Sequence, residues 1–194
     1  METYPYRNAA IIWTESRTKL ASIGISLGFA IATALSAQLR IELFFTPVPI
    51  TAQTFMVILS GLLLGKKYGS LSMSFYLTGG LLGLPWFSGS VGGLAILKSP
   101  TVGYLLGFIV ASWLIGQLSN YPYLSIVAGT FAIYLCGVIG LSFILQISIV
   151  DAITIGVVPF LIGDFIKAVV AFGVANKVNT VSYTHLTLPT IYSV

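Results

Sequence analysis

Val157-Val158-Pro159-Phe160-Leu161-Ile162-Gly163-Asp164-Phe165-Ile166-Lys167-Ala168-Val169-Val170, continued to about Val178, is an apolar run long enough to cross a bilayer, yet it carries an acid and a base. Charged side chains at the middle of a membrane helix cost roughly 2.5–3.5 kcal/mol each on insertion scales, so they persist where they pair or touch something polar. The spacing of three places Asp164 and Lys167 on one helical face, with the acid toward the N-terminus. One reading is an ion pair that pins the helix to a neighbour. The other is a functional pair facing a cavity, the default for ionisable groups inside a membrane.

The rest of the chain agrees with a membrane setting. Of its 194 residues 57% are apolar and 7% charged, with a mean hydropathy of +0.99, against roughly 25% charged residues in a soluble domain. The net charge of +4 is not gathered into a basic run or stripe, so it does not point to nucleic acid. The single cysteine, Cys136, sits in a hydrophobic segment and excludes an internal disulfide or a cysteine metal cluster. The expected organisation is a cytoplasmic N-terminal tail over residues 1–19 without a secretory cleavage pattern, a membrane domain over 20–178, and a tail over 179–194. That last stretch is hydroxyl-rich and β-branched, and resembles translated adaptor sequence rather than a native end. His185, the only histidine, lies in it and is assigned no role.

Six apolar segments are expected, at about 20–39, 50–64, 70–84, 102–118, 124–147 and 157–178. In the first, Ala30 and Ala34 form a small-xxx-small pair, which serves either packing within the bundle or docking of another membrane protein. Arg40 to Pro49 reads as a connecting loop because Pro47 and Pro49 discourage helix. Thr51, Gln53 and Thr54 place polar side chains at the start of the second segment. Gly61-x-x-x-Gly65-Lys66-Lys67 is one residue short of a phosphate-binding loop and lacks its Ser/Thr, so ATP-driven activity needs another subunit. Pro85 to Thr101 is glycine-rich and irregular, the composition of either a surface linker or a cover over a cavity.

Positive residues mark the cytoplasmic side. Arg7, Arg17, Lys19, Lys66, Lys67 and Lys177 fall on one side of the six segments, and Arg40 and Lys98 on the other. Both termini are therefore expected inside. The sixth helix then starts at the outer face, which puts Asp164 and Lys167 roughly 10–15 Å below it. A pocket closed from outside is expected, with the charged pair at its floor.

Five motifs, in order along residues 20–178, carry a resemblance. They are Thr46-Pro47-Val48-Pro49-Ile50-Thr51-Ala52-Gln53-Thr54, Gly61-Leu62-Leu63-Leu64-Gly65, Gly83-Leu84-Pro85, Ser99-Pro100-Thr101-Val102-Gly103-Tyr104-Leu105-Leu106-Gly107-Phe108, and Pro159-Phe160-Leu161-x-Gly163-Asp164-x-x-Lys167. Together they resemble the BioY family, the biotin-specific S components of energy-coupling-factor (ECF) transporters. The resemblance implies an all-α integral membrane protein, a six-transmembrane-helix bundle of the S-component type in a prokaryotic cell membrane. It also implies capture of biotin from outside, and association with a transmembrane coupling protein and two ATPase subunits, with docking on Ala30 and Ala34. No cofactor is implied. Two positions depart from the family pattern: Val102 stands where a glycine is common, and Trp86 where a smaller apolar residue is.

On this resemblance the charged pair acquires a ligand. Biotin carries a cyclic urea with two N–H donors and one carbonyl acceptor, to which a carboxylate beside an ammonium is reciprocal. Asp164 would accept from the urea nitrogens, and Lys167 would donate either to the urea oxygen or to the valerate carboxylate. Lys98 is the candidate for the carboxylate end. Gln53 and Tyr76 are further polar candidates, and Trp86 is placed against the thioether ring. Lys167→Ala is expected to harm binding more than a peripheral change such as Ser88→Ala. The rival readings are an S component for another vitamin and, from another class, an intramembrane enzyme with Asp164 as base. Against the enzyme, the sequence offers no second carboxylate, dependable histidine or metal-ligand cluster at the pair.

Overall fold

The computed structural model describes residues 18–187, without the side chains of 179–187. Most of the expected N-terminal tail, including Arg7 and Arg17, and the end of the C-terminal tail lie outside the described residues, as does the side chain of His185.

The protein is a helical membrane bundle. Helix α1 spans Lys19–Gln38, α2 Gln53–Leu81, α3 Val102–Gln117, α4 Pro122–Leu145, α5 Ile149–Gly156 and α6 Leu161–Thr187. Three stretches, Lys19–Gln38, Pro122–Leu145 and Ile149–Val178, are long and apolar enough to cross a membrane, and α3 is a shorter apolar helix. Their outward side chains, among them Leu27, Phe131, Phe143, Ile162 and Phe165, are exposed apolar groups of the kind that lipid covers.

The second and third expected segments meet inside α2. Gly65 there has φ 70° and ψ −177°, a conformation closed to side chains other than glycine's. Eight residues of straight helix would separate Gly61 from Gly69 by about 12 Å. Instead, a Cβ built on Gly69 would lie 3.2 Å from the Gly61 Cα, so the chain doubles back at Gly65 and its halves run antiparallel. Gly116 of α3 closes against the same corner, at the Lys66 backbone.

Two expectations change. The stretch after α1 is a β-hairpin rather than a plain loop, with β1 Arg40–Leu43 antiparallel to β2 Thr46–Thr51, pairing Arg40 with Thr51 and Ile41 with Ile50. Among the described residues its sheet has only these two strands, so both are edges, and Pro47 and Pro49 leave no ladder donor missing on their outer side. At the other end, α6 continues to Thr187 beyond the expected boundary at Val178. The hydroxyl-rich composition after 178 weakens apolar continuity without ending the helix. Asp151 lies in the first turn of α5, whose N-cap Ser148 accepts from the Asp151 amide at 3.1 Å.

Small residues set the helix spacing, as they do where lipid removes the hydrophobic drive for helices to associate. A Cβ on Gly103 of α3 would strike the Cys136 carbonyl of α4, and one on Gly107 would lie 3.0 Å from the Ile133 Cα. Ala30 and Ala34 belong to this internal packing, at 0% and 6% exposure in the main core with Val57, Tyr76 and Phe87. The face on which docking was expected is therefore turned inward. Gly24 and Gly28, by contrast, have open space beside them on the outer side of α1.

Candidate functional site

One end of the bundle holds a cavity of about 470 Å³, within the range of small-molecule sites. The hairpin, the start of α2, the segment after α2, and parts of α3, α4 and α6 all contribute to its lining. The segment after α2 is more ordered than its glycine content implied. A bridge joins Phe87 to Val91, and a 3-10 helix runs over Leu94–Lys98.

Asp164 and Lys167 are both in the lining, joined at 2.8 Å. The 3-10 turn Val158–Phe160, with Pro159 in it, starts the last helix so that Asp164 falls in the first turn of α6. There the helix N-terminus favours negative charge. Asp164 Oδ1 accepts from the Thr54 hydroxyl at 2.9 Å and from Lys167, while Oδ2 accepts from the Tyr134 hydroxyl at 2.7 Å. Lys167 Nζ also donates to Thr54 Oγ1 at 3.2 Å. Three helices, α2, α4 and α6, thus meet in one polar knot, with the side chains of Asp164 and Lys167 only 7% and 19% exposed.

The knot leaves some bonding capacity free. A carboxylate has about four acceptor positions and an ammonium three donors. Asp164 uses three positions and Lys167 two of its protons within the protein. Each keeps one for a guest, so the floor offers an acceptor and a donor side by side.

Gln53 lines the cavity as well, with its Oε1 accepting from Thr51 at 2.9 Å and its Nε2 donating to the Tyr76 hydroxyl at 2.6 Å. Its second amide proton remains for a ligand. Tyr76 itself is buried behind Gln53, 1% exposed, and donates on to the Trp86 carbonyl at 3.4 Å. It orients the amide rather than lining the space. The Trp86 ring lies over Gly79, and Trp86 is not among the lining residues. Its neighbour Phe87 takes the wall position instead, edge-on to Tyr76 with centroids 5.6 Å apart and seated on Gly80. Lys98 is exposed on the short 3-10 helix and is not among the lining residues.

Several lining residues escaped the sequence reading. Tyr134 is a hydroxyl within an apolar span, which must find a partner, but nothing local names Asp164 as that partner. Tyr134→Phe is expected to weaken ligand binding about 10-fold, since hydrogen bonds to charged groups are worth roughly 1.5–3 kcal/mol; titration with labelled ligand checks this. Tyr104 lies in a notch at Gly137, and its hydroxyl donates to the Gly156 carbonyl at 2.7 Å. Ser88, expected to be peripheral, lines the cavity, as do Arg40 and Glu42 at 3.0 Å from one another.

The BioY family model matches residues 12–183. A biotin transporter BioY of Thermotoga maritima is 46% identical over 137 residues, 68% of this chain and 80% of the relative. A probable biotin transporter BioY of Pyrococcus horikoshii is 36% identical over 160 residues, 82% of this chain and 96% of the relative. Among solved structures, the S-component for biotin from an ECF-type ABC transporter superposes with a TM-score of 0.76 at 27% identity. That match covers 85% of this chain and 92% of the other.

Proposed function

Because the chain belongs to the BioY family, a family of transporters rather than enzymes, we propose that it is the biotin-capturing S component of an ECF-type uptake system. The observation that carries this reading is the floor of the cavity. Asp164 keeps one acceptor position and Lys167 one donor after their internal bonds, and Gln53 adds a further N–H. A cyclic urea presents N–H and C=O on one rigid ring and meets all three. Phe87, Tyr104 and Phe108 supply apolar walls for a fused bicyclic ring.

The buried pair also favours this orientation on energetic grounds. Breaking a buried ion pair by withdrawing one partner costs about 3–5 kcal/mol. A neutral urea can add to the Asp164–Lys167 pair without separating it. An anionic group arriving at Lys167 would compete with Asp164.

The cavity opens to the outer side in this proposal. Lys19 begins α1 and Lys66 and Lys67 lie at the corner of α2, and the Ser26 hydroxyl donates to the Tyr68 carbonyl at 3.1 Å, which holds these two regions together. The cavity and the hairpin sit at the far ends of the same helices, so Lys19, Lys66 and Lys67 lie opposite the cavity mouth. By the positive-inside rule this end, with both termini, is cytoplasmic, and the six-span arrangement follows. Delivery into the cell is assigned to a coupling protein and two ATPases. With Ala30 and Ala34 buried, the lipid-facing row of α1 around Gly24 and Gly28 is the place for that contact.

Equilibrium binding of labelled biotin to the purified full-length protein tests the capture role, with riboflavin and thiamine as competitors. Saturable binding displaced by unlabelled biotin alone is expected. Displacement by another vitamin, or no binding by a folded sample, contradicts it.

A further inference from the structure

Among the described residues four charged ones line the cavity, and they form two neutral pairs of different character. Asp164 and Lys167 are buried at the floor with Thr54 and Tyr134 as partners. Arg40 and Glu42 stand on the first strand of the hairpin, with side chains 40% and 71% exposed. We infer that Arg40, together with the Ser88 hydroxyl, is the subsite for the free carboxylate of the ligand, and that Glu42 holds this place until the ligand displaces it. The inference rests on the biotin reading and adds the end of the molecule which that reading leaves unassigned.

Three observations carry it. An arriving carboxylate competes at either cation with the acid already paired there, and the two competitions differ. Taking Lys167 strands a buried acid, whereas taking Arg40 releases Glu42 into water that solvates it. Next, the guanidinium is held in place: it lies against Gly89, whose φ of +81° and missing side chain let it approach, and a Cβ there would come within 3.1 Å of the Arg40 Cζ. Its planar fork suits a carboxylate in two-point contact. Finally, Ser88, one residue before Gly89, lines the same cavity with a buried Oγ. Among the described residues it is the only buried side-chain polar atom without a hydrogen-bond partner. Native proteins rarely leave such an atom idle, and a hydroxyl can donate to a carboxylate. Arg40 thus fills the role that the exposed Lys98 does not reach.

The test compares biotin with biotinamide, its uncharged carboxamide, on the full-length protein. Wild type is expected to bind biotin at least about 10-fold tighter than biotinamide, the scale of a charge-assisted contact. Arg40→Gln should bring that ratio to within about threefold of one, and Ser88→Ala should lower it by roughly threefold. Glu42→Gln should tighten biotin binding by about two- to fivefold, because it removes the competitor of an exposed pair. The ratio is the readout, since a folding defect weakens both ligands alike. An unchanged ratio in Arg40→Gln, or a ratio lost in Lys98→Gln instead, overturns the subsite while the biotin reading stands. A folded wild type that binds neither ligand overturns the biotin reading and the subsite with it.

Discussion

Lys167→Ala is expected to reduce biotin affinity by roughly 10²- to 10⁴-fold, from a loss of about 3–5 kcal/mol when one partner of a buried pair is withdrawn. The same change leaves Asp164 buried without its cation, so the melting temperature should fall too. A second variant separates function from structure. Buried ion pairs replaced as a whole by apolar residues of similar size often leave stability unchanged or raised. The double substitution Asp164→Leu with Lys167→Met should therefore recover much of the melting temperature lost in Lys167→Ala and still fail to bind biotin. Thermal melts and binding on the same samples decide it. A double variant that retains biotin would show that the pair is structural, the alternative left open by its spacing.

The second large effect is expected at Gly103. Helices α3 and α4 touch there backbone to backbone, since a Cβ on Gly103 would strike the Cys136 carbonyl and one on Gly140 would lie 2.8 Å from the Gly103 Cα. Neither neighbour is a side chain that could turn aside. Gly103→Val must push the helices apart, at about 3 kcal/mol for overpacking, which corresponds to a melting temperature lower by about 6–12 °C. The displacement would also reach the cavity, because Tyr104 is the next residue and its ring occupies the notch at Gly137. Reduced biotin binding together with the lower melting point is expected. Gly24→Val is the contrast: open space lies beside Gly24, and it should melt close to wild type. Equal melting of the two variants would contradict close packing at the α3–α4 crossing.

Part of the cavity lining was legible in the chain because membrane burial makes polar residues conspicuous. Asp164 and Lys167 announce themselves by their cost in an apolar run, and their spacing of three already implies that they touch, as they do at 2.8 Å. Gln53 and Thr54 stand out at the start of an apolar segment for the same reason. Tyr134 and Arg40 do not. A tyrosine is ordinary in a membrane helix, and Arg40 follows the end of α1 where cations are common, so nothing in the local sequence distinguishes a cavity residue from a surface one. Tyr76, Trp86 and Lys98 show the converse limit. Their types suit a binding site, but Tyr76 is spent orienting Gln53, Trp86 covers Gly79, and Lys98 is exposed and not among the lining residues.

The sequence by itself determined that this is a helical membrane protein, where its apolar segments lie, and that one charged pair is costly enough to require a partner. Those properties follow from hydropathy and from distances along a single helix, which the chain states directly. Only the tertiary structure decided that the chain reverses at Gly65, that Ala30 and Ala34 face inward, and that Thr54 and Tyr134 close around Asp164 from helices 110 and 30 residues away. Such facts depend on which faces of distant helices meet. That choice is made by small residues admitting close backbones and by buried polar groups seeking partners across the bundle, neither of which leaves a trace in local periodicity.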